Sequence, residues 1–402
     1  MPRVVFVNRY FHPDHSATSQ LLGDLAFDLA ARGRDVAVVS GRQLYDEPHA
    51  TLAARETVMG VAVRRVRGTR FGRARLVGRA LDAVSFYPGA ALALCSLVRR
   101  GDIVVAKTDP PLVSVLAAVV AGVRGARLVN WLQDLYPEVP EALGVPLVRG
   151  PVAWVLRAMR DASLRAGAVN VVLGEAMAER VRSRGVSAQR IRTIPNWADG
   201  RAIAPIPLAG HPLRAAWGLN DRFVVGYAGN LGRAHDADTV LGAARLLCQD
   251  PSIAFLFIGG GKGRGALEKT VAGEGLANFV FRPYQARAEL GLALTVADVH
   301  LVTLRPALEG LIVPSKLYGA MAAGRAVVFV GDPNGEVARL VRTHECGVVA
   351  RAGDAEALAT AIRGLRDDPA LGQRLGANAR RTFERLFDRE HALASWRAVL
   401  ES

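Results

Sequence analysis

Short, unbroken apolar runs separated by helical patterns limit what this chain can become. In the first half they fall at residues 4–8, 35–40, 61–67, 103–106, 127–131 and 168–173, with a helical pattern over 18–32. After residue 213 the theme returns at 223–228, 253–259, 279–282, 299–304, 326–330 and 347–349. A strand with apolar side chains on both sides of its pleat must be covered on both faces. Alternation with helices then favours parallel pairing by crossover connections. The expected class is therefore α/β, with two doubly wound domains. Residues 195–207, rich in proline and turn formers, read as the linker, with a hinge near residue 200. In open parallel sheets, ligands gather outside the carboxyl ends of the strands.

At 402 residues the chain is long enough for two domains, each with its own core; 50% hydrophobic and 22% charged residues exclude a disordered chain. The formal net charge is +14 and is carried by arginine, since lysine occurs only at 107, 262, 269 and 316. Such a balance suits phosphate-bearing ligands or anionic lipid. Nucleic acid is not expected, because aromatic residues are sparse and not interleaved with the cations. Cys95, Cys248 and Cys346 stand far apart in apolar settings, as reduced thiols do. The longest apolar runs, 88–98 and 112–123, are too short to span a bilayer, and the first residues enter a strand at once. A cytoplasmic location is expected. Segment 68–98 differs: Arg70, Arg73, Arg75 and Arg79 precede an apolar helical stretch with Phe86, Tyr87 and Leu92, a pattern suited to a membrane surface.

Two strand–turn–helix units carry the chemistry. In Val313-Pro-Ser-Lys-Leu-Tyr-Gly-Ala-Met-Ala-Ala-Gly324, Ser315 is placed to cap a short helix and Gly324 to end it, with Lys316 beside the helix start. In Tyr227-Ala-Gly-Asn-Leu-Gly-Arg-Ala-His-Asp236, Gly229, Asn230 and Gly232 form a turn carrying Arg233 and His235. Arginine grips an oxyanion at two points and lysine acts as a point charge, so the pair predicts a diphosphate site. The run Gly259-Gly-Gly-Lys-Gly-Arg-Gly265 is expected to form a flexible loop whose amides, with Gly261 and Lys262, cover a ligand. Its G-x-G-x-x-A spacing lacks the acidic residue that a dinucleotide fingerprint needs. In the first domain, His15, Ser16 and Ala17 follow the first strand, and Asp134 and Tyr136 stand at the tip of 127–131, all at the expected cleft edge. No nucleophile elbow, zincin or P-loop motif occurs.

With these residues, and with Gln133-Asp-Leu-Tyr-Pro-Glu138, Ile194-Pro-Asn-Trp-Ala-Asp199, Asn334-Gly-Glu336 and Cys346-Gly-Val-Val349, the chain resembles the family-4 retaining glycosyltransferases, most of all the branch that builds bacterial O-antigen and capsule. The resemblance covers nearly the full length. It implies the GT-B fold: two Rossmann-like domains facing across a cleft, here 1–200 for the acceptor and 201–380 for the donor, with 381–402 a helix crossing back. It implies a nucleotide-sugar donor, UDP-linked by preference, and a lipid-diphosphate-linked acceptor at the inner face of the membrane. Catalysis falls to Arg233, Lys316 and Asp134; no cofactor or metal is expected, because cations neutralise the leaving diphosphate. Donor contacts fall to Gly229, Asn230, Gly232, His235, Gly261, Lys262, Glu309, Pro314, Ser315 and Tyr318, and acceptor contacts to His15, Ser16, Ala17 and Tyr136. The chain departs from the Glu-x7-Glu signature: Gly319 stands at the second glutamate, Leu311 at the first, and Glu309 two residues earlier. The lysine usual after the first glycine-rich turn is His235, and Lys316 is positioned to supply the missing charge. Two other readings fit the same composition: a nucleotide-sugar 2-epimerase of this architecture, and a non-catalytic basic lipid-binding protein. Nucleotide release that requires acceptor separates the transferase from both.

Overall fold

The protein is described by a computed structural model covering residues 2–45, 47, 49–72, 76–145 and 150–401. Arg73 and Arg75 of the expected basic segment lie outside the described residues, as does the side chain of Arg79. The chain divides into two compact units. The first comprises Met1–Pro195 with Leu393–Ser402, and the second Asn196–Ala392.

In the first unit the strands are β1 (Val4–Val7), β2 (Val36–Gly41), β3 (Arg55–Val58), β4 (Val61–Val66), β5 (Ile103–Lys107), β6 (Arg127–Trp131), β7 (Val169–Val172) and β8 (Ile191–Thr193). They form one sheet in the order β3-β4-β2-β1-β5-β6-β7-β8. Only the β3–β4 hairpin is antiparallel. Val5 on β1 stands beside Ala37 and Val104, and all three pack with Phe86, Ala90 and Leu94 of the helix Leu76–Leu97. The strand order reverses at β1/β5, so the loops after those two strands open the crevice where ligands of such sheets bind. The stretch Ala80–Leu97 of that helix corrects one expectation: with mean hydropathy 1.4 it is long and apolar enough to cross a membrane by length and composition. Its inner face, however, is sealed in the core of this sheet.

The second unit holds β9 (Phe223–Ala228), β10 (Ile253–Ile258), β11 (Phe279–Arg282), β12 (Val299–Thr303), β13 (Ala326–Gly331) and β14 (Gly347–Arg351). The order is β11-β10-β9-β12-β13-β14, with every pairing parallel. Apolar side chains leave both faces: Val225, Phe255, Leu301 and Val328 join one core, and Val224, Ala254 and Leu256 another. Here the order reverses at β9/β12, which makes the loops after Ala228 and Thr303 the expected ligand edge.

Two boundaries differ from the sequence reading. The units part at Pro195/Asn196, at the start of the expected linker rather than at residue 200, and beyond it Ala198 bridges to Asp388 and the Arg389 amide donates to the Ala198 carbonyl at 3.0 Å. The final helical stretch is two helices, Pro369–Leu386 and Arg389–Glu401, broken where Phe387 and Asp388 engage that segment. The last residues belong to the first unit. There Trp396 is fully buried against Trp131, ring centroids 4.5 Å apart, and Arg397 pairs with Asp28 at 2.8 Å.

Candidate active site

At the β9/β12 edge of the second unit, side chains 81 positions apart meet: Lys316 Nζ lies 2.9 Å from His235 Nε2. His235 Nδ1 lies 2.8 Å from the carbonyl oxygen of Thr303, the last residue of β12. That oxygen can only accept, so Nδ1 carries the proton and Nε2 presents its lone pair to the lysine. Tyr227 supports both groups. Its ring meets the imidazole edge-on at 5.9 Å and lies 5.0 Å below the ammonium. Burial pulls the Lys316 ammonium from an ordinary 10.5 down to about 7. Burial first, and then the neighbouring lysine, lowers His235 to about 3, so the imidazole stays neutral. A lysine poised near neutrality, held by a neutral acceptor, gains its charge most readily when an anion arrives.

The glycines explain how Lys316 reaches this place. Gly229 has φ +118°, and a Cβ there would stand 3.2 Å from Lys316 Cε, so the bare backbone lets the stem cross the turn. The second glycine-rich segment is not the flexible loop expected. Leu231 donates to the Gly260 carbonyl at 2.8 Å and accepts from Gly263 at 2.9 Å. A Cβ on Gly261 would fall 2.1 Å from Asn230 Oδ1. The two turns are thus interlocked. Lys262 opens the helix Lys262–Gly273 and is exposed there, as Arg233 and Asn230 are on the first turn. Gly232 lies between those two residues, beside the Asn230 amide.

The block 313–324 behaves differently from its sequence reading in two respects. Ser315 is exposed and itself in helical conformation, and its hydroxyl makes no capping bond. The amides of Leu317 and Tyr318 are taken by the carbonyls of Pro314 and Ser315, at 3.2 and 3.3 Å. This seven-residue helix, Lys316–Ala322, therefore contributes its lysine rather than a cradle of N–H groups. Pro314 is buried. Tyr318 is also buried, 5.2 Å from the Phe387 ring, and so packs the interior instead of facing a ligand. Glu309 accepts from the Glu336 amide at 2.7 Å, seated against the start of the helix Glu336–Thr343. Burial raises its pKa.

In the first unit, Asp134 follows β6 and faces Thr108 and Asp109, which follow β5. Burial raises its carboxyl from 3.8 to about 6; the Thr108 hydrogen bond opposes this, and the Asp109 carboxylate adds to it. Burial also raises Tyr136. His15 and Ala17 are exposed, Ser16 is half-buried with its amide on Asp14 Oδ1 at 2.8 Å, and its hydroxyl has no hydrogen-bond partner. Among the described residues no group of three His, Cys, Asp or Glu side chains is arranged to hold a metal. Sequence reasoning assigned no role to Tyr227, Thr303, Thr108 or Arg305. Arg305 is exposed, and its amide donates to the Ala234 carbonyl at 3.0 Å. Their only signal was position, at or just past a strand's carboxyl end.

Two mainly parallel sheets, each with polar and charged groups beyond the carboxyl ends of its strands, make an α/β architecture of the GT-B kind. The family described as "Glycosyl transferases group 1" matches residues 212–382, and "Glycosyl transferase 4-like domain" matches 18–197. The chain belongs to this glycosyltransferase family and is an enzyme of that class. It is 28% identical over 294 residues to the probable glycosyltransferase WbjE of Pseudomonas aeruginosa, covering 73% of each chain. It is 28% identical to the putative colanic acid biosynthesis glycosyl transferase WcaI of Escherichia coli K12, covering 68% of each. The Anabaena protein HepE, solved with UDP-glucose, matches 100% of both chains with a TM-score of 0.73 at 17% identity.

Proposed function

We propose that this enzyme moves a sugar, with retention at the anomeric carbon, from a nucleotide-sugar (a UDP-sugar by preference) to a lipid-linked or saccharide acceptor in the assembly of cell-surface polysaccharide. The observation that carries the reading is the Lys316–His235–Thr303 chain at the β9/β12 switch point. It holds one proton-poised cation beside a glycine turn bearing Arg233. Breaking the bond to the sugar puts negative charge on the departing diphosphate, and preorganised cations stabilise that charge more than any other single device. Arg233 and Lys316 bind it; the Gly229–Gly232 and Gly261–Lys262 turns bound the donor, with Glu309 beyond them. Asp134 orients the acceptor hydroxyl, with Tyr136 and the His15–Ser16–Ala17 segment lining its approach. No metal takes part. The acceptor is presented at the inner face of the membrane, to which the enzyme attaches peripherally.

A relative named for colanic acid biosynthesis and a neighbour solved with UDP-glucose support the polysaccharide and UDP assignments. The test is a thermal-shift series with UDP-, GDP- and ADP-sugars, followed by UDP release assays in EDTA. A ligand that binds only the native state raises its melting temperature. UDP-sugars should give the largest rise, and release should require acceptor and survive chelation. Preference for GDP- or ADP-sugars overturns the donor assignment, and release without acceptor overturns transfer.

A further inference from the structure

In the first unit, the helix Val113–Arg124 packs against both Leu76–Leu97 and Gly150–Ala166, so the three lie side by side on one face of the sheet. Their outer surfaces are apolar. On Leu76–Leu97 the stripe Val77, Leu81, Val84 and Leu92 follows helical spacing and is exposed, Val84 to 63%. On Gly150–Ala166 the exposed residues are Val152, Trp154, Val155 and Met159, with Trp154 at 68%. Phe71, just ahead of the first helix, is 62% exposed. Only 28% of the apolar segment Ala80–Leu97 is buried, so its hydrophobicity exceeds what the core beneath it uses. Exposed apolar surface of this extent on adjacent helices marks an interaction face.

Charge identifies the occupant. Residues 67–100 contain seven arginines and a single acid, Asp82. That acid is buried and accepts from Thr69 Oγ1 at 2.7 Å and from the Phe71 and Gly72 amides at 3.0 and 2.9 Å. Arg67, Arg70, Arg99 and Arg100 are exposed around the apolar stripe. On the helix Gly150–Ala166, Asp161 pairs at 2.6 Å with Arg160, which also holds Glu138 at 2.7 Å. A second copy of the same face would oppose arginine with arginine. An anionic bilayer meets both demands: its headgroups take the arginines, and its acyl boundary takes the valines and leucines. Trp154, a broad ring with one polar edge, suits the depth where headgroup gives way to chain.

Topology adds a direction. Each of these helices leads into the next parallel strand, so each begins at the carboxyl edge of the sheet, where Asp134 also stands. Phe71, Val77, Leu81, Val152, Trp154 and Val155 all belong to those beginnings. We infer that this three-helix face rests on the surface of a bilayer containing anionic phospholipid, embedding Trp154, Leu81 and Val84 at the end nearest Asp134. The inference deepens the membrane and lipid-linked-acceptor part of the proposed function and rests on that reading only for its consequence, the delivery of acceptor.

The test is flotation of the full chain with phosphatidylcholine vesicles, with and without phosphatidylglycerol, for the parent, Trp154→Glu and Leu81→Glu/Val84→Glu. The parent should bind the anionic vesicles, with a blue shift in fluorescence that Trp154→Phe removes. Each glutamate variant should lose at least about tenfold in binding, with an unchanged melting temperature and an unchanged thermal response to UDP-glucose. Equal flotation of parent and variants, or no preference for phosphatidylglycerol, overturns the inference. So does a sedimentation-velocity dimer that Trp154→Glu dissolves, since a second copy would then be the occupant. Vesicle binding without a response to any nucleotide-sugar would leave this face standing and remove the donor reading; the reverse would do the opposite.

Discussion

Replacing Lys316 with methionine should stabilise the protein at neutral pH while nearly abolishing turnover. Burial lowers the ammonium from 10.5 to about 7, and a depression of that size corresponds to ~5 kcal/mol of cost in keeping the charged form folded. The sign follows from proton counts. Between pH 7 and 10.5 the unfolded chain holds a proton that the folded chain does not, so stability rises with pH across that window and the cost is full below it. Methionine removes the cost but leaves His235 Nε2, now 2.9 Å from its donor, without a partner; such a loss is worth roughly 1–3 kcal/mol. The net gain near pH 7 is about 2 kcal/mol, a rise of roughly 4–8 °C in melting temperature for a unit of this size. Near pH 10 the relief is gone and the lost hydrogen bond remains, so the variant should melt below the parent. Turnover should fall by roughly 10²–10³, the usual effect of deleting one donor to a developing oxyanion. Calorimetric melts across this pH range, together with UDP-release kinetics, check both halves. A melting difference that does not change sign with pH would mean the ammonium is already solvated. Unaltered turnover would detach Lys316 from the leaving group.

Asp134→Asn should also stabilise, but in the opposite window: a carboxyl raised from 3.8 to about 6 destabilises the fold only once it ionises. The variant should therefore match the parent at pH 4 and melt higher at pH 8, by no more than the ~3 kcal/mol that the raised pKa represents. Parent turnover should decline as pH falls through about 6, whereas the variant should be slow and flat across that range. Gly261→Ala places a Cβ 2.1 Å from Asn230 Oδ1 and 2.7 Å from the Leu231 carbonyl, at φ +106°. It should cost more than about 2 kcal/mol in a urea melt and weaken the thermal response to UDP-glucose, because the two turns can no longer interlock.

What could be read in advance followed from burial. Strands β9, β10 and β13 fall where continuous apolar runs stand, because a doubly covered parallel strand has no polar face to disguise it. The edge strand β3, Arg55-Glu-Thr-Val58, was not legible: it is solvent-facing and apolar only at its end, and its place comes from the hairpin with β4. The break at Phe387–Asp388 carries no proline or glycine. It arises from tertiary bonds to the segment around Ala198, which no local pattern encodes. At the site, the sequence placed Lys316 where it could replace the charge absent at His235, but not that the two touch. Thr303 fixes the imidazole's tautomer through a backbone oxygen, and a backbone oxygen has no residue signature.

The two sites share a physical logic that neither shows alone. In the second unit a cation is pushed toward neutrality, and in the first a carboxyl is pushed the same way; burial is the leading cause in each. A side chain withheld from water in this manner is costly in the empty protein and responsive to an incoming partner of complementary charge or hydrogen-bonding demand. On the proposed function, Lys316 becomes fully charged when a diphosphate supplies the counter-charge that water no longer does, and Asp134 gains most from an acceptor hydroxyl that can donate to it. The empty enzyme then gives up stability at both places. On that reading the sacrifice ties each group's charge to the arrival of its substrate, and both substitutions should then raise the melting temperature where they lower activity.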